Sequence, residues 1–177
     1  FLSPIPLRYM VAHRRLRLDF THILDSGKIL LAKLSQGAIG KENAYLLGSL
    51  LMAKLQQAAM SRQNQNVKAR RDFWIFLDEF QHFITPSMTE ILSGARKYRI
   101  GLTLAHQELR QLDRDREVAS AVLSNCYTRI VFRVGDDDAK KLESGFASFS
   151  ARDLQNLAIG EAIVRVERSD FDFNLVV

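Results

Sequence analysis

The chain has 177 residues, of which 47% are apolar and 25% charged, and it bears a net charge of +5 with an isoelectric point near 9.6. These values exclude a disordered chain, and the excess of cations mildly favours an anionic partner such as nucleic acid. The single cysteine, Cys126, excludes an internal disulfide, and no apolar run reaches the roughly 20 residues that cross a bilayer. We expect one domain in a reducing compartment, the cytoplasm, and, because the chain begins with Phe1, a piece of a longer protein.

The first 27 residues are predicted to form an irregular or helical arm, because two prolines within the first six positions oppose regular structure. The arm contains a short basic cluster, formed by Arg14, Arg15 and Arg17. Such a cluster is typical both of a solvated helix face and of a surface that contacts phosphates, and the sequence leaves its role open.

Residues 28–134 are predicted to form a parallel sheet with helices on both faces, the core of a single α/β domain. Short apolar runs typical of strands alternate with stretches in which apolar residues have helical spacing. The predicted strands are residues 29–34, 73–77, 100–105 and 128–134. Residues 135–177 are predicted to add short helices and an antiparallel hairpin, because apolar residues alternate on either side of a turn at 168–170.

Two motifs that resemble ligand sites have simpler explanations. The segment Ser35–Lys41 contains Gly-Lys, but two residues separate its glycines where a phosphate-binding loop needs four, and Glu42 replaces the required Ser or Thr. We therefore predict an ordinary loop. The three acids at 136–138 fall in the first turn of a predicted helix, where carboxylates complement the helix dipole, so we favour capping over a metal site.

The stretch Phe73–Glu79 is the feature around which the rest of the chain is organised. Its five apolar residues are typical of a strand buried on both faces, and Asp78 and Glu79 follow where that strand must end. Burying either carboxylate would cost several kcal/mol, so we expect a polar or metal-bearing site at the carboxyl edge, where open α/β sheets bind ligands. The alternative is that Asp78 caps the next turn and Glu79 is solvated.

An apolar strand that ends in Asp-Glu has the form of a Walker B motif. In that motif the aspartate holds Mg²⁺ through water, and the glutamate polarises the water that attacks the γ-phosphate of ATP. Gln107 follows the next predicted strand, and a neutral polar side chain there can sense the γ-phosphate or orient water. The two features together are more specific than the Asp-Glu pair by itself.

From Lys28 to Gln107 the chain resembles the HerA–FtsK superfamily of ring-forming, DNA-pumping ATPases, in particular the type IV secretion coupling proteins of the TraG/TraD-like kind. The resemblance continues to Gly135 and covers most of the chain. It rests on residues 28–37 (KILLAKLSQG), 76–81 (FLDEFQ), 91–98 (ILSGARKY), 102–107 (LTLAHQ) and 132–135 (FRVG).

The resemblance implies a RecA-like P-loop NTPase fold and roles for single residues. Asp78 would coordinate Mg²⁺, Glu79 would be the catalytic base, and Gln107 would be the sensor that couples nucleotide state to movement. Arg96 matches the place where the family puts an arginine that reaches into the neighbouring subunit's ATP site, and Arg133 is a second candidate for that role. A solvated charge at a helix end is the alternative for Arg96.

One departure from the family pattern bears on activity. No G-x-x-x-x-G-K-[ST] loop, the Walker A motif that wraps the phosphates, occurs in the 177 residues, so the residues that would bind the nucleotide are unknown. The chain is therefore predicted to be inactive by itself. It is either the carboxyl-terminal part of a truncated or split motor domain or a degenerate relative that no longer hydrolyses ATP.

Three functions remain open. The first is part of an ATP-driven DNA translocase that uses ATP and Mg²⁺, assembles as a hexameric ring and serves a secretion or conjugation machinery. Such a protein would lie in the cytoplasm, attached to the inner face of the membrane through parts outside this chain. The second is a non-hydrolysing DNA-binding or assembly module of the same fold, and the third is a protein-exporting secretion ATPase.

Overall fold

The computed structural model describes residues 18–85, 87–113 and 115–177, so the basic cluster and most of the predicted arm lie outside the described residues. The chain divides into two compact units, Phe1–His106 and Gln107–Val177. None of the helices in the described ranges is both long enough and apolar enough to cross a membrane.

The first unit combines a pair of strands with α-helices and single turns of 3-10 helix. Its α-helices are α1 (Phe20–Ser26), α2 (Gln36–Ile39), α3 (Lys41–Ser61) and α4 (Ser87–Gly94), and its strands are β1 (Phe73–Leu77) and β2 (Ile100–Leu104). Turns of 3-10 helix occupy Arg62–Asn64, Val67–Ala69, Phe80–Phe83 and Ala95–Tyr98. The long helix α3 lies in a stretch where apolar residues have helical spacing. Helix α2 lies within Ser35–Lys41, which was predicted to be an ordinary loop.

β1 and β2 pair in parallel, with Phe73 opposite Ile100 and Leu77 opposite Leu104. The crossover between the strands contains α4, as a parallel connection requires. One face of the pair packs on α3 and α4 to form the core of the unit, and the predicted α/β fold class is confirmed. The core residues are Leu24, Met52, Leu55, Ala58, Ala59, Ile75, Ile91 and Ile100.

Two predictions about strands in this unit are wrong. Residues 29–34 form no strand, and Ile29 and Leu31 are 88% and 89% exposed. β1 is covered on one face and not on both, since Trp74 and Phe76 are 66% and 73% exposed. An apolar run indicates a preference for burial, but a strand also needs a neighbouring strand that forms hydrogen bonds with its backbone. No described segment pairs with residues 29–34.

The second unit is built on a three-stranded antiparallel sheet with β4 at its centre. Its strands are β3 (Arg129–Val131), β4 (Glu161–Arg165) and β5 (Asp172–Val176), and its helices are α5 (Arg116–Asn125), α6 (Asp136–Glu143) and α7 (Ala151–Gln155), with a 3-10 turn at Leu109–Leu112. The pairing of β4 with β5 confirms the predicted hairpin, with Val164 opposite Phe173. The prediction that residues 128–134 join the parallel sheet is wrong, because β3 pairs antiparallel with β4.

Two α-helices of the second unit have carboxylates at their amino-terminal ends, which was predicted for residues 136–138. Asp115 accepts the backbone N–H groups of Glu117 and Val118 and so caps α5. The three acids at 136–138 occupy the first turn of α6, where the helix dipole favours negative charge. Asp138 also accepts the backbone N–H of Leu109 at 2.9 Å, which holds the 3-10 turn against α6.

A buried arginine stabilises each unit by donating to backbone carbonyls. In the second unit, Arg165 donates Nη1 to the carbonyl of Gly145 at 2.8 Å and Nε to that of Tyr127 at 3.1 Å. Arg129 lies in the same cluster, and burial, followed by the charge of Arg165, lowers the pKa of its guanidinium. Burial likewise raises the pKa of the Cys126 thiol, which the charge of Arg129 only partly offsets.

In the first unit, Arg62 connects three segments that are distant in the sequence. Its guanidinium is fully buried and donates from Nε to Oδ1 of Asp25 at 2.9 Å. Nη1 and Nη2 donate to the carbonyls of Tyr98 and Leu24, each at 2.8 Å. Because a buried charge is costly unless it is paired and hydrogen-bonded, these contacts bind the end of α3 to α1 and to the segment before β2.

We expect Arg62→Ala to lower the free energy of unfolding by about 3 kcal/mol, because Asp25 and two carbonyl oxygens lose their donor in a buried site. Urea unfolding followed by circular dichroism measures the change. Asp72→Ala is the control, since it breaks an exposed pair with Arg99 at 3.6 Å and should cost less than about 1 kcal/mol. Equal losses in the two variants would contradict a structural role for Arg62.

Candidate active site

β1 ends in the two carboxylates predicted from the sequence, Asp78 and Glu79, here called the carboxylate pair. Asp78 is exposed, and its Oδ1 accepts the backbone N–H of Glu79 at 3.0 Å. Glu79 is half-buried and has left-handed backbone angles, φ 50° and ψ 44°. This conformation costs a residue other than glycine on the order of 1–2 kcal/mol, and such strain concentrates at functional sites. The carboxylate pair therefore lies in a strained turn directly after the strand.

The ends of β1 and β2 are tied together beside this turn. The backbone N–H of Ala105 donates to the carbonyl of Leu77 at 2.9 Å, and that of Phe80 donates to the carbonyl of Ala105 at 3.0 Å. The ring of Phe80 is fully buried and meets the ring of His106 edge-on, with centroids 5.3 Å apart. Parallel pairing thus brings His106 close to the residue that follows Glu79, because parallel strands end at the same edge of a sheet.

Gln81 belongs to this site, although the motif pattern does not reveal it. It lies in the 3-10 helix Phe80–Phe83, is only 4% exposed, and donates its Nε2 to Oε2 of Glu79. Its Oε1 is buried and has no hydrogen-bond partner among the described residues. The only signal in the sequence is an amide flanked by aromatic residues two positions after a carboxylate, which is equally typical of an ordinary turn.

Helix α3 packs against the 3-10 helix Phe80–Phe83. The ring of Tyr45 stacks on that of His82, with centroids 4.5 Å apart and planes inclined by 19°. One turn along α3, Gly48 faces Phe83 so closely that an added Cβ would lie 2.1 Å from the ring. Glycine inside a helix is ordinarily unfavourable, and this close approach explains its presence at position 48.

Arg96 lies away from the carboxylate pair within the first unit. It is exposed on the 3-10 helix Ala95–Tyr98, which leads into the amino-terminal end of β2. A strand of five residues is roughly 17 Å long, so Arg96 lies toward the end of the sheet opposite the carboxylate pair. Its backbone is well fixed, because the buried Arg70 donates Nη1 to the carbonyl of Lys97 at 2.7 Å.

The remaining predicted site residues belong to the second unit. Gln107 is its first residue and is exposed, and Arg133 is exposed just after β3. The role of Gln107 as a sensor and that of Arg133 as an alternative arginine finger stay predictions.

The chemistry of the carboxylate pair fits a magnesium ion that is bound together with a nucleotide. Mg²⁺ is commonly held by one or two carboxylates, with water and substrate phosphates as its other ligands. The exposed carboxylate of Asp78 provides such an oxygen at the strand end. Within the described residues, no group of three or more His, Cys, Asp or Glu side chains could hold a metal by itself.

One protein-family model matches part of the chain. Residues 72–146, which include β1, the carboxylate pair and β2, match the family model described as the TraM recognition site of TraD and TraG. The predicted resemblance to TraG/TraD-like proteins is confirmed. No curated protein matches the chain.

Solved structures share the fold of this chain at low sequence identity. The unbound bacterial conjugative coupling protein TrwBdeltaN70 is 15% identical with a TM-score of 0.60, over 80% of this chain and 38% of that one. TrwB in complex with ADP and Mg²⁺ is 17% identical with a TM-score of 0.59, over 76% and 37%. The chain thus spans less than two-fifths of the coupling proteins it matches.

A viral relative shows the same fold. The genome packaging NTPase B204 from Sulfolobus turreted icosahedral virus 2, in complex with sulfate, is 16% identical with a TM-score of 0.51, over 70% of this chain and 60% of that one. These neighbours confirm the predicted RecA-like P-loop NTPase fold.

We expect Gly48→Ala to lower the free energy of unfolding by about 1–3 kcal/mol, because the new methyl group would force Phe83 and its 3-10 helix away from α3. Gly37→Ala is the matched control, since an added Cβ at Gly37 meets nothing within 4 Å. Thermal unfolding compares the two. Gly48→Ala with unchanged stability would show that this glycine is not required for the contact.

Proposed function

We propose that this chain contains the hydrolytic carboxylates of a TraG/TraD-like motor, in which ATP hydrolysis moves nucleic acid through a ring. The observation that supports the proposal most is the carboxylate pair itself. It follows a parallel strand of a RecA-like fold, in a strained turn that is hydrogen-bonded to the end of the neighbouring strand. TrwB is described in complex with ADP and Mg²⁺, and we propose that the protein containing this chain binds a nucleotide and Mg²⁺ as well.

Each residue of the site has a definite task in this mechanism. Asp78 would hold Mg²⁺ through water, and the ion, when bound, neutralises charge on the phosphates. Glu79 would accept the proton of the attacking water at its carboxylate, which the fixed turn holds in place. Gln107, which follows β2, would report the state of the γ-phosphate to the second unit.

The placement of Arg96 supports a ring of identical copies. An arginine toward the opposite end of the sheet is remote from the carboxylate pair of its own chain, so it would act on an ATP held by a neighbour. We therefore include a homo-oligomer, hexameric as the resemblance implies, in the proposal. The matched family is described as a TraM recognition site, so a partner in the conjugation machinery, DNA as cargo and a cytoplasmic location belong to the proposal as well.

A second candidate function is a non-hydrolysing DNA-binding or assembly module of the same fold. The absence of a G-x-x-x-x-G-K-[ST] loop from the 177 residues favours it for the chain by itself. A protein-exporting secretion ATPase would use the same residues on a different cargo. ATP turnover distinguishes the motor from the non-hydrolysing module. Stimulation of that turnover by DNA or by protein distinguishes the DNA-moving motor from the protein-exporting ATPase.

Joined to a phosphate-binding loop in a longer protein, Glu79→Gln should keep nucleotide binding and abolish turnover. The amide preserves shape but cannot accept the proton of water, so we expect the rate to fall by about 10²–10⁴. Release of phosphate measures turnover, and fluorescent ATP measures binding. A fall of less than about tenfold would show that Glu79 is not the catalytic base.

Arg96→Ala in the same protein should lower turnover on the order of 10³-fold, as loss of an arginine finger does. Mixing it with the Glu79→Gln variant should restore part of the activity, because some interfaces then pair an intact Glu79 with an intact Arg96. Lys97→Ala, which removes a neighbouring exposed cation, is the control and should leave turnover nearly unchanged. Normal turnover by Arg96→Ala would contradict the role, and a mixture no faster than the average of its parts would contradict action between copies.

A further inference from the structure

Gln81 combines two features that a structural glutamine does not need. Its Nε2 donates to Oε2 of Glu79, the residue in the left-handed turn, and its Oε1 is buried without a hydrogen-bond partner among the described residues. A buried acceptor without a donor is destabilising, and such atoms in folded proteins call for a reason.

A second buried glutamine in the same unit shows what a purely structural pair looks like. Gln56 is 8% exposed and donates its Nε2 to Oε2 of Glu90 at 2.8 Å. Glu90, however, lies in regular helix α4, and no oxygen of Gln56 is a buried acceptor without a partner. The amide–carboxylate contact is therefore shared by both pairs, whereas the strained turn and the unused acceptor belong to Gln81 and Glu79.

We propose that Gln81 is a positioning residue for Glu79, and that its Nε2 holds the carboxylate in the orientation that activates water. This inference rests on the proposed function. The amide is itself fixed, because Gln81 is only 4% exposed within the 3-10 helix Phe80–Phe83. Gln81 needs no charge for this task, because it donates a hydrogen bond and never a proton.

A carboxylate held in this way would orient the nucleophile. One O–H of the water points to the carboxylate of Glu79, which leaves a lone pair of the water oxygen free to attack phosphorus. As the bond from this oxygen to phosphorus forms, the bond from phosphorus to the leaving ADP oxygen breaks, and the proton passes to the carboxylate of Glu79. An amide fixed by burial in the 3-10 helix supplies this orientation before the reaction begins.

The first test uses the 177-residue chain and nuclear magnetic resonance of its side-chain amides. Glu79→Ala should move the Gln81 amide protons upfield and speed their exchange with solvent roughly tenfold, because they lose a charged acceptor. Glu90→Ala, the matched control, should do the same to Gln56 and leave Gln81 unchanged. A Gln81 amide that does not respond to Glu79→Ala overturns the proposal, whether or not any Gln81 variant folds.

The second test uses a longer protein in which this segment is joined to a phosphate-binding loop and hydrolyses ATP. Gln81→Met should lower kcat at least about tenfold with unchanged nucleotide affinity, and should cause no further loss in the Glu79→Gln background. Gln56→Met, which removes the same kind of hydrogen bond, should change kcat less than about twofold. Normal kcat for Gln81→Met would overturn the positioning role of Gln81 but not the proposed function. The same holds if Gln81→Met lowers kcat as much in the Glu79→Gln background as in the unaltered protein. Turnover that survives Glu79→Gln overturns the proposed function instead.

Discussion

The parallel pairing of β1 with β2 is the constraint on which the site depends. Parallel strands need a crossover, and here the chain leaves β1 through the 3-10 helix at 80–83, passes along α4 and returns to the start of β2. Both strands consequently end at one edge, where the backbone N–H of Phe80 donates to the carbonyl of Ala105. The strained angles of Glu79 are tolerated because these bonds and the buried ring of Phe80 hold the turn from both sides.

At the opposite end of the sheet, buried arginines hold the connecting segment by donating hydrogen bonds to backbone carbonyls. Arg62 and Arg70 donate to the carbonyls of Tyr98 and Lys97, the two residues that follow Arg96 in the chain. Arg165 has the same relation to loop carbonyls in the second unit. A guanidinium has five donors in a rigid plane, so a single buried side chain can satisfy several carbonyls that neither helix nor sheet reaches. Irregular connections, including the one that contains Arg96, thereby acquire fixed positions.

Much of the first unit could be predicted because its signals are local. The helical spacing in α3, the apolar run of β1 and the Asp-Glu that ends it depend on residues close together in the chain, and each was found where it was expected. The predictions that were wrong concern partners: residues 29–34 form no strand, and β3 joins an antiparallel sheet. The apolar and polar pattern of a strand indicates which of its faces are buried. Which strand pairs with it depends on the fold of the whole chain.

The sequence by itself determined the α/β class, the carboxylate pair and the resemblance to TraG/TraD-like proteins, since motifs and periodicity are written in consecutive residues. Only the tertiary structure decided that Gln81 holds Glu79, that His106 meets Phe80 and that Arg96 lies toward the far end of the sheet. These relations depend on backbone angles and on packing between segments up to tens of residues apart. A left-handed residue that is not glycine has no signature in the sequence, because its cost is offset by contacts that form only in the folded chain.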